Sequence, residues 1–138
     1  MRKFEFSNFL KLDKPFIYQG LEFYYVETFY VAMKTENFEL RDKISKMKPG
    51  EAKKFGKTIK LRSDWEDIKV SVMKFALYRK FAKGTTWYEK LKVTKGYIVE
   101  TNKHHNNIWG NCTCTGCEDI PGQNLLGKLL MEIREEIK

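Results

Sequence analysis

The end of the chain constrains the fold most tightly. Gly122, Asn124 and Gly127 stand at the mouth of an apolar run, Leu125-Leu126-Gly127-Lys128-Leu129-Leu130-Met131-Glu132-Ile133-Arg134. Residues 123–137 read as a helix whose leucines belong in a core. A core helix accounts for the leucines but not for an asparagine between two glycines at its start. Backbone amides at a helix N-terminus can face an anion, and glycine lets a neighbour approach closely. Trp109-Gly110 lies upstream, within a polar loop over residues 102–122.

The rest of the chain reads as helices with a few strands. A hairpin is expected over Phe16–Val26, turning at Gln19-Gly20. A short helix follows from Glu27 to about Lys34. A second runs from Phe38 to Met47, capped by Asn37 and stopped by Pro49-Gly50. The longest helix is expected to begin at Ser63, where Ser63 and Glu66 spell a capping box and Asp64 adds negative charge to the first turn. It runs through Phe75 and Tyr78 towards Gly84. Thr86 and Glu89 repeat the capping-box pattern for a short helix ending near Gly96, and Tyr97–Glu100 reads as a strand. This order does not alternate as βαβ units do. The expectation is an α+β chain, mainly helical, with a small and mostly antiparallel sheet, forming one domain over residues 1–138.

Composition narrows the class. A chain of 138 residues with 42% hydrophobic and 32% charged side chains can bury a core. It has no apolar run long enough to span a bilayer, so no membrane partner is expected. The N-terminus lacks the apolar core and cleavage site of a signal peptide, which points to the cytoplasm. The net charge of +8 is scattered along the chain and favours an anionic partner: phosphate, nucleotide or nucleic acid.

Some charges sit where a core would want none. Glu27, Tyr30, Val31 and Lys34 share one helical face. Trp65 precedes Lys69 by four positions, and Val72 and Met73 follow it, so Lys69 projects from the apolar side of its helix. Such a lysine either snorkels to solvent or, desolvated beside other cations, becomes a nucleophile. Glu100 ends an apolar stretch. Trp65 and Trp109 are either core residues or faces on which a base can stack.

Taken in order, these residues resemble the NADAR/YbiA-like family. Ser7-Asn8-Phe9 resembles its opening Ser-Asn-Phe. Glu27, Tyr30 and Lys34 are similar to its Glu-x-x-Tyr-x-x-x-Lys helix. Asp64, Trp65, Lys69 and Met73 are similar to its Asp-Trp-x-x-x-Lys segment with a following methionine. Glu100, Trp109-Gly110 and the Gly-x-Asn-x-x-Gly-x-x-x-Met-x-x-Arg helix, with Asn124 and Arg134, close the match. Thr28 and Val31 depart from the histidine and glutamine of many relatives. Asn106 stands where the family often has an aspartate, and an asparagine can hydrogen-bond a ribose hydroxyl but cannot take a proton.

The resemblance implies an N-glycosidase that breaks the bond between a ribose phosphate or ADP-ribose and a base, with no catalytic cofactor. It allows ADP-ribose on guanine in DNA, which a dispersed basic surface favours, and the phosphoribosylamino-pyrimidines of riboflavin synthesis. Glu27 is the expected carboxylate beside a cationic transition state. Lys34 or Lys69 would trap ribose aldehyde as a Schiff base or bind phosphate. Ser7, Asn8, Tyr30, Asp64, Trp65, Glu100, Asn106, Trp109, Gly110, Asn124 and Arg134 are the expected substrate contacts, with Arg134 and the amides of residues 122–127 on phosphate. Two rivals are a non-catalytic module that binds ADP-ribose or nucleic acid, and a zinc-stabilised interaction protein.

Cys112, Cys114 and Cys117 spell C-x-C-x-x-C, with His104 and His105 upstream. Three thiolates and one imidazole, that of His105, complete a tetrahedral shell for a structural zinc; free thiols are the alternative. Some NADAR relatives carry a similar Trp-Gly-x-Cys-x-Cys-x-x-Cys loop.

Overall fold

The computed structural model describes residues 6–102 and 105–137. His104 lies outside the described residues. The chain divides into two compact units, Asn8–Thr86 and Met1–Ser7 with Trp87–Lys138.

The first unit opens with the expected hairpin, β1 (Phe16–Tyr18) and β2 (Leu21–Phe23), paired antiparallel with Tyr18 opposite Leu21. Gln19 and Gly20 both take positive φ, 52° and 79°, which gives the two-residue turn that matches strand twist. Helix α1 (Val26–Ala32) follows, and Val26, Thr28, Phe29, Tyr30, Val31 and Ala32 are all buried. A helix this apolar all round must be central, and α2 (Phe38–Ser45), α3 (Pro49–Gly56) and α4 (Trp65–Lys80) all pack on it. Thr28 and Val31, the two departures from the family pattern, are fully buried. The Thr28 hydroxyl donates to the Tyr25 carbonyl at 2.9 Å.

Phe29 anchors this core. Its ring lies 5.1 Å from Phe16, 5.4 Å from Tyr18, 5.2 Å from Phe23 and 5.6 Å from Phe75, tying the hairpin and α4 to α1.

Asn37 caps α2 as expected, its Oδ1 accepting from the Leu40 amide at 3.0 Å. Pro49-Gly50 does more than stop it. Proline suits the first helical turn, where its missing N–H costs no hydrogen bond, and Pro49 opens α3. The capping box at Ser63 does not form. Helix α4 begins at Trp65, with Asp64 at its N-cap making no side-chain cap bond. Arg62 claims that carboxylate instead, at 2.6 and 3.2 Å.

The second unit holds α5 (Thr86–Lys92), β3 (Thr101–Asn102), β4 (Asn111–Cys112), a 3₁₀ turn at Thr115–Cys117 and α6 (Leu125–Ile137). Strands β3 and β4 are parallel, whereas the hairpin is antiparallel, and both sheets are two-stranded. The architecture is α+β and mainly helical. Residues 97–100, expected as a strand, form no ladder. The Asn124 side chain takes the place of a strand neighbour, with Nδ2 donating to the Ile98 carbonyl at 2.8 Å and Oδ1 accepting from the Glu100 amide at 2.9 Å. No described helix is long and apolar enough to cross a membrane.

Phe29→Ala should destabilise the protein by about 3–5 kcal/mol, the usual cost of emptying an aromatic core site. Urea unfolding followed by circular dichroism measures it, and a loss under about 1 kcal/mol would mean the ring cluster contributes little.

Candidate active site

Glu27 is the one carboxylate on the buried helix α1. Its backbone amide donates to the Asn8 carbonyl at 3.1 Å, so the Ser-Asn-Phe segment fixes the start of the helix. The Asn8 side chain donates Nδ2 to the Met73 sulfur at 3.5 Å. Its Oδ1 is buried without a hydrogen-bond partner among the described residues. Such an orphaned acceptor is costly in a native core and suits a ligand hydroxyl.

Burial pushes the Glu27 carboxyl up to about 7, against the opposing pull of Lys53 and Lys34. Lys34 shifts the other way. Burial lowers its pKa, Glu27 raises it, and Lys53, Lys57 and Lys69 lower it further. Its ammonium sits 5.6 Å from the Tyr30 ring centroid and 5.9 Å from that of Trp65, and these rings meet edge-on at 5.0 Å. Trp65 is 5% exposed, so its ring serves chiefly to support Lys34 and Tyr30.

Glu27, Tyr30, Lys34, Trp65 and Lys69 thus share one neighbourhood, with Asn8 and Met73 beside it. Lys69 pairs with Glu66 at 3.0 Å. Asp64 pairs with Arg62 at the N-cap of the same helix, α4.

Lys53 and Lys57 are the residues sequence reading missed. Both belong to α3 and its C-cap, the helix hidden behind the apparent stop at Pro49-Gly50. On α3, Ala52 and Gly56 form a small face, and a Cβ on Gly56 would come within 2.9 Å of the Val31 side chain. That close approach brings the neighbouring lysines to the Glu27 face of α1. The paired small residues Ala52 and Gly56, flanked by lysines at the same spacing, were the available signal.

A groove of about 490 Å³ in the same unit is lined by Leu21, Tyr24, Tyr25, Asp42, Lys46 and others, and none of the predicted site residues lines it.

In the second unit the predicted residues form a polar corner. Asn106 exchanges two bonds with Asn102: its amide donates to Oδ1 at 3.0 Å, and its carbonyl accepts from Nδ2 at 2.7 Å. The Asn106 Oδ1 accepts from the amides of Ile108 and Trp109 at 3.2 and 3.0 Å, a turn that an aspartate would support equally well. Gly110 lies against the Glu100 carbonyl and carboxylate, and a Cβ there would collide with both. Ser7 belongs to this unit and is half-buried.

The mouth of α6 differs from expectation. Amides 122 to 126 all donate within the chain: Gly122 to Asn111 Oδ1, and the next four to the carbonyls of Asn107, Gly110, Ile108 and Trp109. They are closed to an anion. Arg134 is 7% exposed, and its guanidinium braces Thr94 Oγ1 at 3.2 Å and the Gly96 carbonyl at 2.7 Å.

His105 Nδ1 lies 3.3 Å from the Cys117 sulfur, 3.4 Å from Cys114 and 3.9 Å from Cys112. The four ligand atoms lie within 4.8 Å of one another, a set that can hold a metal ion. All three cysteines are free of disulfides.

The NADAR domain model matches residues 1–138. The chain belongs to the NADAR domain family. It is 29% identical to the N-glycosidase YbiA of Shigella flexneri over 136 residues, covering 96% of this chain and 81% of that protein. The solution structure of Escherichia coli YbiA superposes with a TM-score of 0.79 at 29% identity, covering 96% of this chain and 77% of that one. A riboflavin biosynthesis protein of Vibrio vulnificus is 30% identical over 115 residues, 81% of this chain and 30% of that protein. A chloroplastic riboflavin biosynthesis protein of Zea mays is 33% identical over 125 residues, 81% of this chain and 19% of that one. The chain therefore spans less than a third of the length of these riboflavin biosynthesis relatives.

The raised Glu27 pKa has a stability consequence. The folded protein binds this proton up to about pH 7, whereas the ordinary carboxyl releases it near 4.5. Between those values the folded state holds more protons than the unfolded chain, so stability falls as pH rises and stays lower above pH 7. Glu27→Gln should therefore stabilise the protein by on the order of 2 kcal/mol at pH 8 and by almost nothing at pH 4. Paired denaturant titrations check this, and a variant equally stable to wild type at both pH values would place the carboxylate in water.

Proposed function

We propose that the chain is an N-glycosidase that hydrolyses the bond between the anomeric carbon of a ribose phosphate and a base or amine nitrogen. The observation that carries this reading is a carboxyl tuned to about pH 7 among lysines on a buried helix. The activity named for the YbiA relative supports it.

In this reading protonated Glu27 donates its proton to the departing nitrogen, which keeps the bond's electron pair. The sugar becomes cationic, and the resulting carboxylate stabilises it and then activates water. A pKa near the working pH suits both halves of that cycle. Lys34 is the better amine for trapping ring-opened ribose, because burial and like charges favour its neutral form. It would add to the C1′ aldehyde, lose water to give the imine, and be released by hydrolysis. Lys53, Lys57 and Lys69 would bind phosphate. Asn8 would meet a sugar hydroxyl. The resemblance assigns sugar and base contacts to Asn106 and Trp109. No cofactor enters the chemistry, and the cysteine–histidine cluster has a structural part.

The names of the Vibrio and maize relatives favour a phosphoribosylamino-pyrimidine of riboflavin synthesis as substrate. The net charge of +8 favours ADP-ribose on guanine in DNA. Incubation with each substrate, followed by mass spectrometry, should show release of the base or amine from one of them. Glu27→Gln should lower turnover by about a hundredfold or more. Saturable binding without any product would instead support the non-catalytic binding module.

The lysine assignment has its own test. Borohydride added during turnover should leave a reduced sugar adduct on Lys34, located by peptide mapping. Lys34→Arg should abolish the adduct while Lys69→Arg keeps it. Full activity in Lys34→Arg with no adduct in wild type would leave direct attack by water assisted by Glu27.

A further inference from the structure

We propose that His105, Cys112, Cys114 and Cys117 bind one Zn²⁺ ion that fastens the loop carrying Asn106, Trp109 and Gly110. This site is separate from the glycosidase reading and stands without it.

The geometry is that of a single-ion shell. Tetrahedral zinc with ordinary Zn–S and Zn–N bonds places nitrogen and sulfur about 3.6 Å apart. The separations from His105 Nδ1 are 3.3, 3.4 and 3.9 Å. All four ligand atoms fall within 4.8 Å, room for one ion and not for a polynuclear cluster. Soft thiolates with one imidazole select zinc over the hard cations, which prefer oxygen.

The backbone around the site is arranged for these ligands. His105 takes φ of 67°, a left-handed conformation that histidine adopts at a cost and keeps when its surroundings over-determine it. That conformation turns the ring nitrogen to the sulfurs and the backbone amide to Cys112 Sγ, 3.3 Å away. Amides donated to a ligating sulfur orient it and stabilise its thiolate. Cys112 and Cys117 are buried, whereas Cys114 is half-buried, so the site lies at the protein surface with an entry path.

The ion would act on the polar corner through short links. The Cys112 amide donates to Asn107 Oδ1 at 2.8 Å, and the Asn107 carbonyl accepts from the Gln123 amide at 2.7 Å. Asn106 lies between His105 and Asn107 and holds the Trp109 amide. These links pass through residues with no helix and only a two-residue ladder, β3 with β4, to hold them. A metal that closes a long polar loop contributes its binding energy to folding, because the unfolded chain has no preformed site.

Untagged protein from zinc-supplemented cells should contain one zinc per chain. After chelation, Co²⁺ titration should give thiolate-to-cobalt absorption and tetrahedral visible bands that saturate at one equivalent. Zn²⁺ should displace the cobalt. Cys114→Ser, the least buried ligand change, should weaken cobalt binding by about tenfold or more while leaving the helical circular dichroism intact. Amide exchange over residues 106–117 should slow by about tenfold or more when metal is restored. Absence of a cobalt–thiolate band would overturn the site. A bound ion with unchanged exchange over 106–117 would overturn its role as a fastener.

Discussion

The unfavourable burial of one carboxyl group organises the chemistry of the first unit. Helix α1 is apolar on nearly every face, so whatever polar residue it carries is withdrawn from water. Glu27 is its one carboxylate, half-buried where the other α1 residues are buried. On a surface helix the same glutamate would reach solvent and titrate normally. Here its helix is held by packing from α2, α3 and α4 and by the Phe29 ring cluster, which keeps the half-buried carboxyl beside the lysines. Core packing maintains the raised pKa, and the same side chain weakens the fold above neutral pH.

In the second unit asparagine side chains perform work that backbone ladders perform elsewhere. Asn124 bridges Ile98 and Glu100, Asn102 and Asn106 pair with each other, Asn107 accepts from Cys112, and Asn111 accepts from Gly122. Each amide supplies a donor and an acceptor, so it can satisfy buried backbone where regular pairing fails. Asn124 itself takes φ of 52°, a conformation asparagine tolerates better than most residues. The adjacent Gly127 leaves no space for a Cβ beside the Ile98 carbonyl and the Asn124 amide. The Gly-x-Asn-x-x-Gly signature is therefore an internal clasp, and its amides from Gly122 to Leu126 are consumed by it.

That clasp marks the boundary of what the sequence could disclose. Local signals read correctly: the Gln19-Gly20 turn, the Asn37 cap, and the helical spacing that places Glu27, Tyr30 and Lys34 together. Signals depending on a competing partner did not. Asp64 beside the Ser63 capping-box pattern favours a helix start at Ser63, yet Arg62, two residues away, holds its carboxylate. Tyr97–Glu100 has strand composition, but its neighbour is a side chain distant in sequence, invisible to periodicity. Pro49-Gly50 fits the end of one helix and the start of another alike, and the fold uses it as the start of α3, the helix of Lys53 with Lys57 at its C-cap. The grouping of the three cysteines with His105 is legible because the spacing is short, whereas the left-handed backbone at His105 is announced by no pattern.

The lysines around Glu27 impose a division of labour. Lys34, Lys53, Lys57 and Lys69 repel one another, and one half-protonated carboxyl does not neutralise them. An anionic ligand relieves that repulsion and draws the group together. The same ligand raises the pKa of any lysine it touches, because a negative neighbour favours the ammonium. A lysine that grips phosphate is thereby a poor nucleophile. Lys34 cannot efficiently do both, and its place between Glu27 and the Tyr30–Trp65 pair is the more desolvated one. In the proposed reading, phosphate binding would then fall to Lys53 and Lys57 on α3 and its C-cap, because Lys69 is partly neutralised by Glu66. In the proposed reading, α3 and its C-cap would supply affinity for the substrate's phosphate, and Glu27 on α1 would carry the proton transfer.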